Sequence, residues 1–151
     1  MPRPNLFLDS SALFAGVISA TGASRALLIL SEAGRIGIIV SEQVLTETER
    51  ALARKVPQAL PYYRAALRST GLQIVRDPAP DAVAAQHDII HHQADVPIVL
   101  AAMQAQVDFL VTLNRRHFID DPGVAERSGL RIGTPGDALD WVRGQLTQSE
   151  K

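Results

Sequence analysis

Acidic and amide side chains follow two of the short apolar runs in this sequence. Asp9 comes directly after Leu6–Leu8, and Asn114 comes after the run Phe109–Thr112. In an open sheet of parallel strands, binding sites form beyond the carboxyl ends of the strands. We therefore expect both side chains at the same edge of a sheet, where their oxygens could hold a hard divalent cation such as Mg²⁺.

Asp9 by itself supports two interpretations. It precedes a predicted helix, where aspartate is a common N-cap, and it also stands where a metal ligand or a nucleophile would lie. An aspartyl phosphotransferase is a third hypothesis, but that chemistry usually needs a second acid two residues further on. Ser11 occupies that position, which argues against a phosphotransferase.

Further acids lie in segments with helical patterns. Glu47 and Glu49 flank opposite borders of the apolar stripe in the segment from Ser41 to Leu52, and periodicity does not choose between them. Asp95 precedes Val96-Pro97, a pattern that favours a helix N-cap with proline in the first turn. A capping carboxylate keeps spare lone pairs, so capping and metal binding can coexist in part.

Alternating short apolar runs and longer amphipathic segments predict the elements that would position these side chains. Because the short runs are continuously apolar, they favour strands buried on both faces of a parallel sheet covered by helices. The expected fold is therefore a three-layer α/β/α fold with a central, mainly parallel sheet. The predicted strands are Leu6–Leu8, Ile36–Val40, Leu72–Val75, Phe109–Thr112 and Leu130–Ile132. The predicted helices are about Ser11–Ala15, Ser24–Ala33, Glu42–Arg54, Tyr62–Ser69, Ala79–His91, Val96–Gln106 and Pro135–Gln145, the last capped by Thr134.

Composition limits the classes of protein to consider. The 151 residues suit one domain spanning 1–151, and 46% hydrophobic residues exclude a disordered chain. Cysteine is absent, which excludes disulfides and thiolate zinc sites and fits a reducing compartment. We find neither a secretory signal nor an apolar run long enough for a bilayer, so we expect a cytoplasmic protein without a membrane partner. The net charge of the protein is −1, so the binding of nucleic acid would need a local basic patch or a bound metal.

Five short motifs follow one another along the chain. They are Leu8-Asp9-Ser10-Ser11-x-Leu13, Val44-Leu45-x-Glu47, Asp95-x-Pro97-x-x-x-Ala101-Ala102, the run from Asp108 to Phe118, and Ile132-Gly133-Thr134-Pro135. In this order and spacing they resemble the PIN-domain nucleases, over the chain from Leu6 to Trp141, and the ordered set is more specific than any single motif. Many bacterial members of this size are VapC-like ribonuclease toxins, each blocked by a small antitoxin.

The resemblance implies a metal site and a reaction. Asp9, Glu47 (rather than Glu49) and Asp95 match the family's acids, which bind Mg²⁺ or Mn²⁺ and hydrolyse RNA phosphodiester bonds. The family's fourth acid is replaced by Asn114, which can offer a carbonyl oxygen but adds no negative charge. Asp120 and Asp121 lie a few residues further on and are alternative candidates for that position, although nothing in the sequence requires either of them.

The same resemblance suggests supporting residues and partners. We expect Ser11 to orient a ligand carboxylate, and four arginines to contact RNA phosphates. The expected partners are an RNA substrate, a small antitoxin and a second copy of the chain. The alternative is a PIN-like domain with weak or lost catalysis that serves as an RNA-binding or protein-binding module. The four arginines are Arg50, Arg54, Arg115 and Arg116.

A histidine group is also a candidate zinc site. His87 and His91 stand at i and i+4, with His92 beside them, but no glutamate follows His87 as the metalloprotease helix pattern requires. Without cysteine and without an evident third ligand, we interpret all three as surface histidines near the end of a helix.

Overall fold

A computed structural model describes residues 3–149, and within them five parallel strands form one sheet. The strands are β1 (Asn5–Leu8), β2 (Gly37–Ser41), β3 (Gln73–Val75), β4 (Phe109–Val111) and β5 (Ile132–Gly133). Their order across the sheet is β3-β2-β1-β4-β5. The expected α/β fold with a parallel sheet is confirmed.

Helices cover this sheet and pack in two groups. The chain forms α1 (Ser10–Ile18), α2 (Ala23–Glu32), α3 (Glu42–Lys55), α4 (Leu60–Ser69), α5 (Pro80–Ala85), α6 (Val96–Gln104), α7 (Arg115–Phe118), α8 (Gly123–Ser128) and α9 (Pro135–Ser149). Helix α1 packs against α2 and α3, and α2 packs against α9. In the other group, α6 packs against α5 and α8. In the described residues no single helix could cross a membrane; α1 and α2 would qualify only as a pair, bent by 86°.

The three central strands are buried throughout, apart from the first residue of β1. This agrees with the continuous apolarity that predicted strands covered on both faces. Strand β3 departs from that prediction, because it lies at the edge of the sheet and Ile74 is 52% exposed. An edge strand has a neighbour on one side only, so fewer layers cover it.

The strand order creates a switch point between β1 and β4. From β1 the chain proceeds outward through β2 to β3, then returns to place β4 on the other side of β1. Crossovers on the two sides of a switch point leave a crevice beyond the carboxyl ends of the strands. Asp9 follows β1 at this point, and its backbone N–H donates to the carbonyl of Val111 in β4 at 3.1 Å.

Two parts of the predicted helix pattern are wrong. The helix expected over Ala79–His91 ends at Ala85, and turns and bends follow it. The Gln93 side chain donates to the carbonyls of His87, at 2.9 Å, and His91, at 3.3 Å, which holds this segment in a compact turn. The basic stretch after β4, which lies in none of the predicted helices, forms the short helix α7, and α8 follows it.

The start of α9 is confirmed as a capped terminus. The Thr134 hydroxyl accepts from the backbone N–H of Asp137 at 3.2 Å, and the Asp137 carboxylate accepts from the N–H of Thr134 at 3.0 Å. This reciprocal pair satisfies two donors that a helix otherwise leaves free.

Thr134→Ala should destabilise the protein by about 1 kcal/mol, because it removes one half of this cap. In a chain of this size that corresponds to a melting temperature lower by roughly 2–4 °C, measured by circular dichroism. Thr134→Ser keeps the hydroxyl and is the control. Equal melting temperatures for the alanine and serine variants would show that the cap adds no stability.

Candidate active site

Asp9 is the most buried of the candidate acids. It is 6% exposed and caps α1, since its Oδ1 accepts from the backbone N–H of Ala12 at 2.9 Å. Two hydroxyls add to this: Ser11 donates to Oδ1 at 2.6 Å, and Thr112 donates to Oδ2. The capping interpretation of Asp9 is therefore confirmed, and three donors hold this carboxylate in one orientation.

The surroundings of Asp9 oppose its negative charge. Burial raises the pKa of the Asp9 carboxyl above its ordinary value, and the carboxylate of Asp95 raises it further. The hydrogen bonds from Ser11, Thr112 and Ala12 act in the opposite direction without cancelling the rise. A buried carboxylate with a second carboxylate close by gains from a cation, which would stabilise both charges. The site chemistry thus fits a divalent ion.

Thr112 connects the ends of strands β1 and β4, and sequence analysis did not identify it. Its buried hydroxyl donates to Asp9 and accepts from the backbone N–H of Asn114 at 2.9 Å. Ser11 makes a parallel link, since its hydroxyl also accepts from the N–H of Leu113 at 2.9 Å. A polar residue at the end of a buried apolar strand could have identified Thr112 as a site residue. The predicted strand Phe109–Thr112 included it as its last residue, whereas β4 ends at Val111.

Asp95 does not cap the helix that it precedes. No side-chain bond caps the start of α6, so the favoured capping interpretation is wrong. Its Oδ2 instead lies 3.0 Å from Nδ1 of His117, and its side chain is 17% exposed. The chain before Asp95 forms a 3₁₀ turn at Gln93–Asp95, which replaces the extended backbone usual for a capping residue. The carboxylate is therefore directed toward α7 and not back to its own helix.

Glu47 and Glu49 have different surroundings on α3. Glu47 is half-buried, and its Oε2 accepts from Nε2 of Gln43 at 3.3 Å. The same Gln43 nitrogen donates to the carbonyl of Ala94 at 3.0 Å, which ties this face of α3 to the residue before Asp95. Glu49 is exposed and lies near Tyr63. Burial of the Tyr63 hydroxyl raises its pKa, and the negative charge of Glu49 raises it further. Of the two glutamates, Glu47 is therefore the one linked to the edge of the sheet that carries Asp9 and Asp95, which we call the acidic edge.

Asn114 acts as the N-cap of α7. Its Oδ1 accepts from the backbone N–H of His117 at 3.1 Å, and its Nδ2 lies 2.9 Å from Nδ1 of the same residue. The Asn114 side chain thus has a local structural role as a helix cap. Its contacts with Thr112 and His117 place it at the acidic edge. Asp121 is engaged elsewhere, since it pairs with Arg127 at 3.2 Å and accepts from the N–H of Gly123.

His92, Asp95 and His117 form a group that sequence analysis missed. One ligand atom from each lies within 4.8 Å of the others, and the two imidazole rings stack with centroids 4.2 Å apart. His87, His91 and His92 are exposed as predicted, but His92 has two further potential ligands, Asp95 and His117, that the sequence did not reveal. The missing ligands come from the 3₁₀ turn and from α7, which no local pattern links to His92.

The four arginines divide between two elements. Arg115 and Arg116 begin α7 and line different cavities, of about 320 and 270 Å³. Arg115 shares its cavity with Gly22 and Thr134, whereas Arg116 shares its cavity with His92 and His117. Arg50 and Arg54 are exposed on α3. Arg54 lies in the last turn of that helix, about 10 Å further along its axis than Glu47.

Comparisons with known proteins agree with this fold. The chain aligns over 93% of its length with a crystal structure of PAE2754 from Pyrobaculum aerophilum, covering 96% of that chain at a TM-score of 0.62 and 15% identity. VapBC2 from Rickettsia felis, solved bound to a DNA fragment from its promoter, aligns over 86% of this chain and 98% of that chain, with a TM-score of 0.61 and 18% identity. Among curated proteins, none matches.

The family comparison is the more specific one. A family model described as the PIN domain matches residues 5–116, which includes Asp9, Glu47, Asp95 and Asn114 and extends from the first strand to the start of α7. This span is well over half of the chain. The chain belongs to the PIN-domain family.

Proposed function

We propose that the chain is a metal-dependent endoribonuclease, and that Asp9, Glu47 and Asp95 hold Mg²⁺ or Mn²⁺ with Asn114 as an auxiliary ligand. The observation that carries the proposal is Asp9, a buried carboxylate whose charge is opposed both by burial and by Asp95. Such an arrangement is costly without a cation and favourable with one. Membership of a family of nucleases supports the same conclusion.

The protein's own residues would orient the ligands. Ser11 and Thr112 fix both oxygens of Asp9, and Gln43 holds Glu47 toward the segment that carries Asp95. When bound, a divalent ion supplies positive charge that stabilises the phosphate and activates water for hydrolysis. Arg115 and Arg116 would contact RNA phosphates in two cavities beside Asn114. Arg50 and Arg54 would contact a more distant part of the strand.

The proposed biological role is that of a toxin in a toxin–antitoxin pair in the cytoplasm. The similar Rickettsia felis structure contains a VapBC pair, which supports a small protein antitoxin as the partner. A small gene for a DNA-binding protein beside the gene of this chain would support the role, and co-purification of the two products tests it. We further propose a homodimer, which light scattering would test.

The test of the function compares two glutamates on one helix. Purified protein should cleave RNA when Mn²⁺ is added, and Glu47→Gln should reduce the cleavage rate at least about a hundredfold, as expected for a metal ligand. Glu49→Gln is the matched control and should retain activity, because Glu49 lies near Tyr63. Wild-type protein that fails to cleave RNA with Mn²⁺ or Mg²⁺ would contradict the proposal, and equal rates for the two variants would remove Glu47 from the site.

The alternative is a PIN domain with weak or lost catalysis that binds RNA or protein. The observation that favours it is Asn114, since its side-chain oxygen already accepts from the N–H of His117 and carries no charge. Metal binding separates the alternatives in part. A melting temperature that does not change with saturating Mn²⁺ would favour the binding module, because a ligand of the native state must stabilise it.

Asn114→Asp should tighten Mn²⁺ binding about tenfold, because it adds a carboxylate beside Asp95 and His117. Aspartate caps a helix as well as asparagine does, so α7 should persist. Calorimetric titration of Mn²⁺ into both proteins at one ionic strength measures the change. Equal dissociation constants would place residue 114 outside the metal site and leave the three acids as its only protein ligands.

A further inference from the structure

The atoms around Nδ1 of His117 cannot all form hydrogen bonds. Oδ2 of Asp95 lies 3.0 Å from this nitrogen, and Nδ2 of Asn114 lies 2.9 Å from it. If Nδ1 carries a proton it can donate to Asp95 but meets the amide hydrogens of Asn114; if it carries none it can accept from Asn114 but faces a carboxylate oxygen. Rotating the amide by 180° does not help, because Oδ1 of Asn114 already accepts from the N–H of His117.

A cation between Asp95 and His117 removes the repulsion between these two groups, and the amide nitrogen of Asn114 must then move away from Nδ1. Both Oδ2 of Asp95 and an unprotonated Nδ1 present lone pairs, which repel each other directly but can both bind a metal ion. His92 brings a third ligand atom to within 4.8 Å of the other two. Ligand atoms of a tetrahedral ion with bonds of about 2.1 Å lie roughly 3.4 Å apart. To bind the same ion, the exposed His92 ring must move closer and also rotate out of its stacked arrangement with His117, so that its in-plane lone pair points at the ion.

The surroundings leave space for an ion and its remaining ligands. A cavity of about 270 Å³ is lined by both histidines, together with His91, Arg116 and Asp121. The guanidinium of Arg116 opposes a cation there, and the carboxylate of Asp121 offsets this only in part, because it already pairs with Arg127. The remaining side of the ion would thus stay open to water, as in zinc sites with three protein ligands.

We propose that His92, Asp95 and His117 form a second metal site, selective for a borderline transition-metal ion such as Zn²⁺. Two imidazoles and one carboxylate suit such ions, whereas Mg²⁺ prefers oxygen ligands alone. Because Asp95 also belongs to the proposed Mg²⁺ or Mn²⁺ site, Zn²⁺ bound here withdraws a ligand from that site and inhibits cleavage. The inhibition rests on the proposed nuclease function, but the binding of Zn²⁺ does not.

Calorimetric titration with Zn²⁺, in the absence of RNA, tests the site. One Zn²⁺ should bind per chain. His92→Ala and His117→Ala should each weaken Zn²⁺ binding at least about tenfold, because each variant removes one ligand of the ion. Replacement of Zn²⁺ by Co²⁺ should give a visible absorption band that both variants reduce. His92→Ala should leave Mg²⁺ affinity unchanged, since His92 is not part of the acidic site.

His87→Ala is the matched control. His87 forms a similar pair with Asp88, with Nε2 and Oδ1 3.0 Å apart, yet in the described part of the chain no third ligand joins it. Its replacement should leave Zn²⁺ affinity unchanged. Circular dichroism melting checks that each variant is folded, and the exposed position of His92 makes that variant decisive if His117→Ala unfolds.

The outcomes separate this site from the proposed nuclease. Zn²⁺ affinity that His92→Ala does not change would overturn the site, whatever the RNA assay shows. If the histidines bind Zn²⁺ but no Mn²⁺-dependent cleavage occurs, the nuclease proposal fails and the site stands. If cleavage occurs, the concentration of Zn²⁺ that halves it should rise at least about tenfold in His92→Ala, each protein being compared with its own uninhibited rate.

Discussion

Asp9→Asn is expected to reduce metal-dependent RNA cleavage at least about a hundredfold while the protein remains folded. The variant removes the charge of the most buried carboxylate of the site, which three donors hold in place. The amide oxygen can still accept from Ser11 and from the N–H of Ala12. The amide nitrogen can donate to the Thr112 hydroxyl, whose oxygen has two lone pairs.

The stability of this variant should depend on pH in a defined direction. Because the pKa of Asp9 is raised in the folded protein, the folded state holds a proton more tightly than the unfolded chain does. Asp9 therefore contributes stability that is fully present below its unfolded pKa and is lost as pH rises through the folded pKa. At neutral pH the metal-free Asp9→Asn variant should melt at or above the wild-type temperature, and this advantage should shrink as the pH falls toward the ordinary aspartate pKa.

Melting curves and cleavage rates, measured on the same preparations, check both parts. Asp88→Asn is the control for removal of one negative charge, since Asp88 is exposed and pairs with His87 outside the acidic edge. Retained cleavage by Asp9→Asn would remove Asp9 from the metal site. A melting temperature well below that of wild type would show that the charged form contributes stability, which contradicts the direction expected from its burial.

The sequence was sufficient to predict the features that depend on residue type and local period. Continuous apolar runs located the strands to within one or two residues, and the polar residue after β1 marked the edge of the sheet where Asp9 lies. The link from Gln43 to Ala94 was not predictable in the same way, because it joins α3 to a segment about 50 residues away. Side chains of this kind meet only after the crossovers have formed.

The same limit explains the misinterpretation of Asp95 and the omission of His117. Locally, Asp95 before Val96-Pro97 has every feature of a helix cap. In the structure its carboxylate instead contacts His117 on α7. That helix has only four residues, which is too short for a periodic pattern in the sequence. Residue patterns along the sequence predict local contacts. The contact between Asp95 and His117 depends instead on how the 3₁₀ turn and α7 come together at the edge of the sheet.

Thr112→Val should weaken Mn²⁺ binding and RNA cleavage by about 10- to 100-fold, although Thr112 is not itself a proposed ligand. Valine matches threonine in shape but cannot donate to Asp9 or accept from the N–H of Asn114. The hydrogen bond from Thr112 lowers the pKa of Asp9, so its loss leaves that carboxyl harder to ionise. The partly buried N–H of Asn114 loses its partner, at a cost of about 1 kcal/mol of stability, the lower end of the range for a buried donor.

The pH dependence of metal binding distinguishes this positioning role from simple loss of stability. If Thr112 acts by keeping Asp9 ionised, the pH at which Mn²⁺ binding reaches half its maximum should shift upward in Thr112→Val, and high pH should restore part of the affinity. Thr112→Ser keeps the hydroxyl and should restore both the pH profile and the cleavage rate, despite some loss of packing. Thr48→Val is a further control, because Thr48 is also fully buried but its hydroxyl bonds the carbonyl of Val44 at 2.7 Å. Loss of activity without a shifted profile, and without rescue by serine, would mean that Thr112 supports the fold and does not position Asp9.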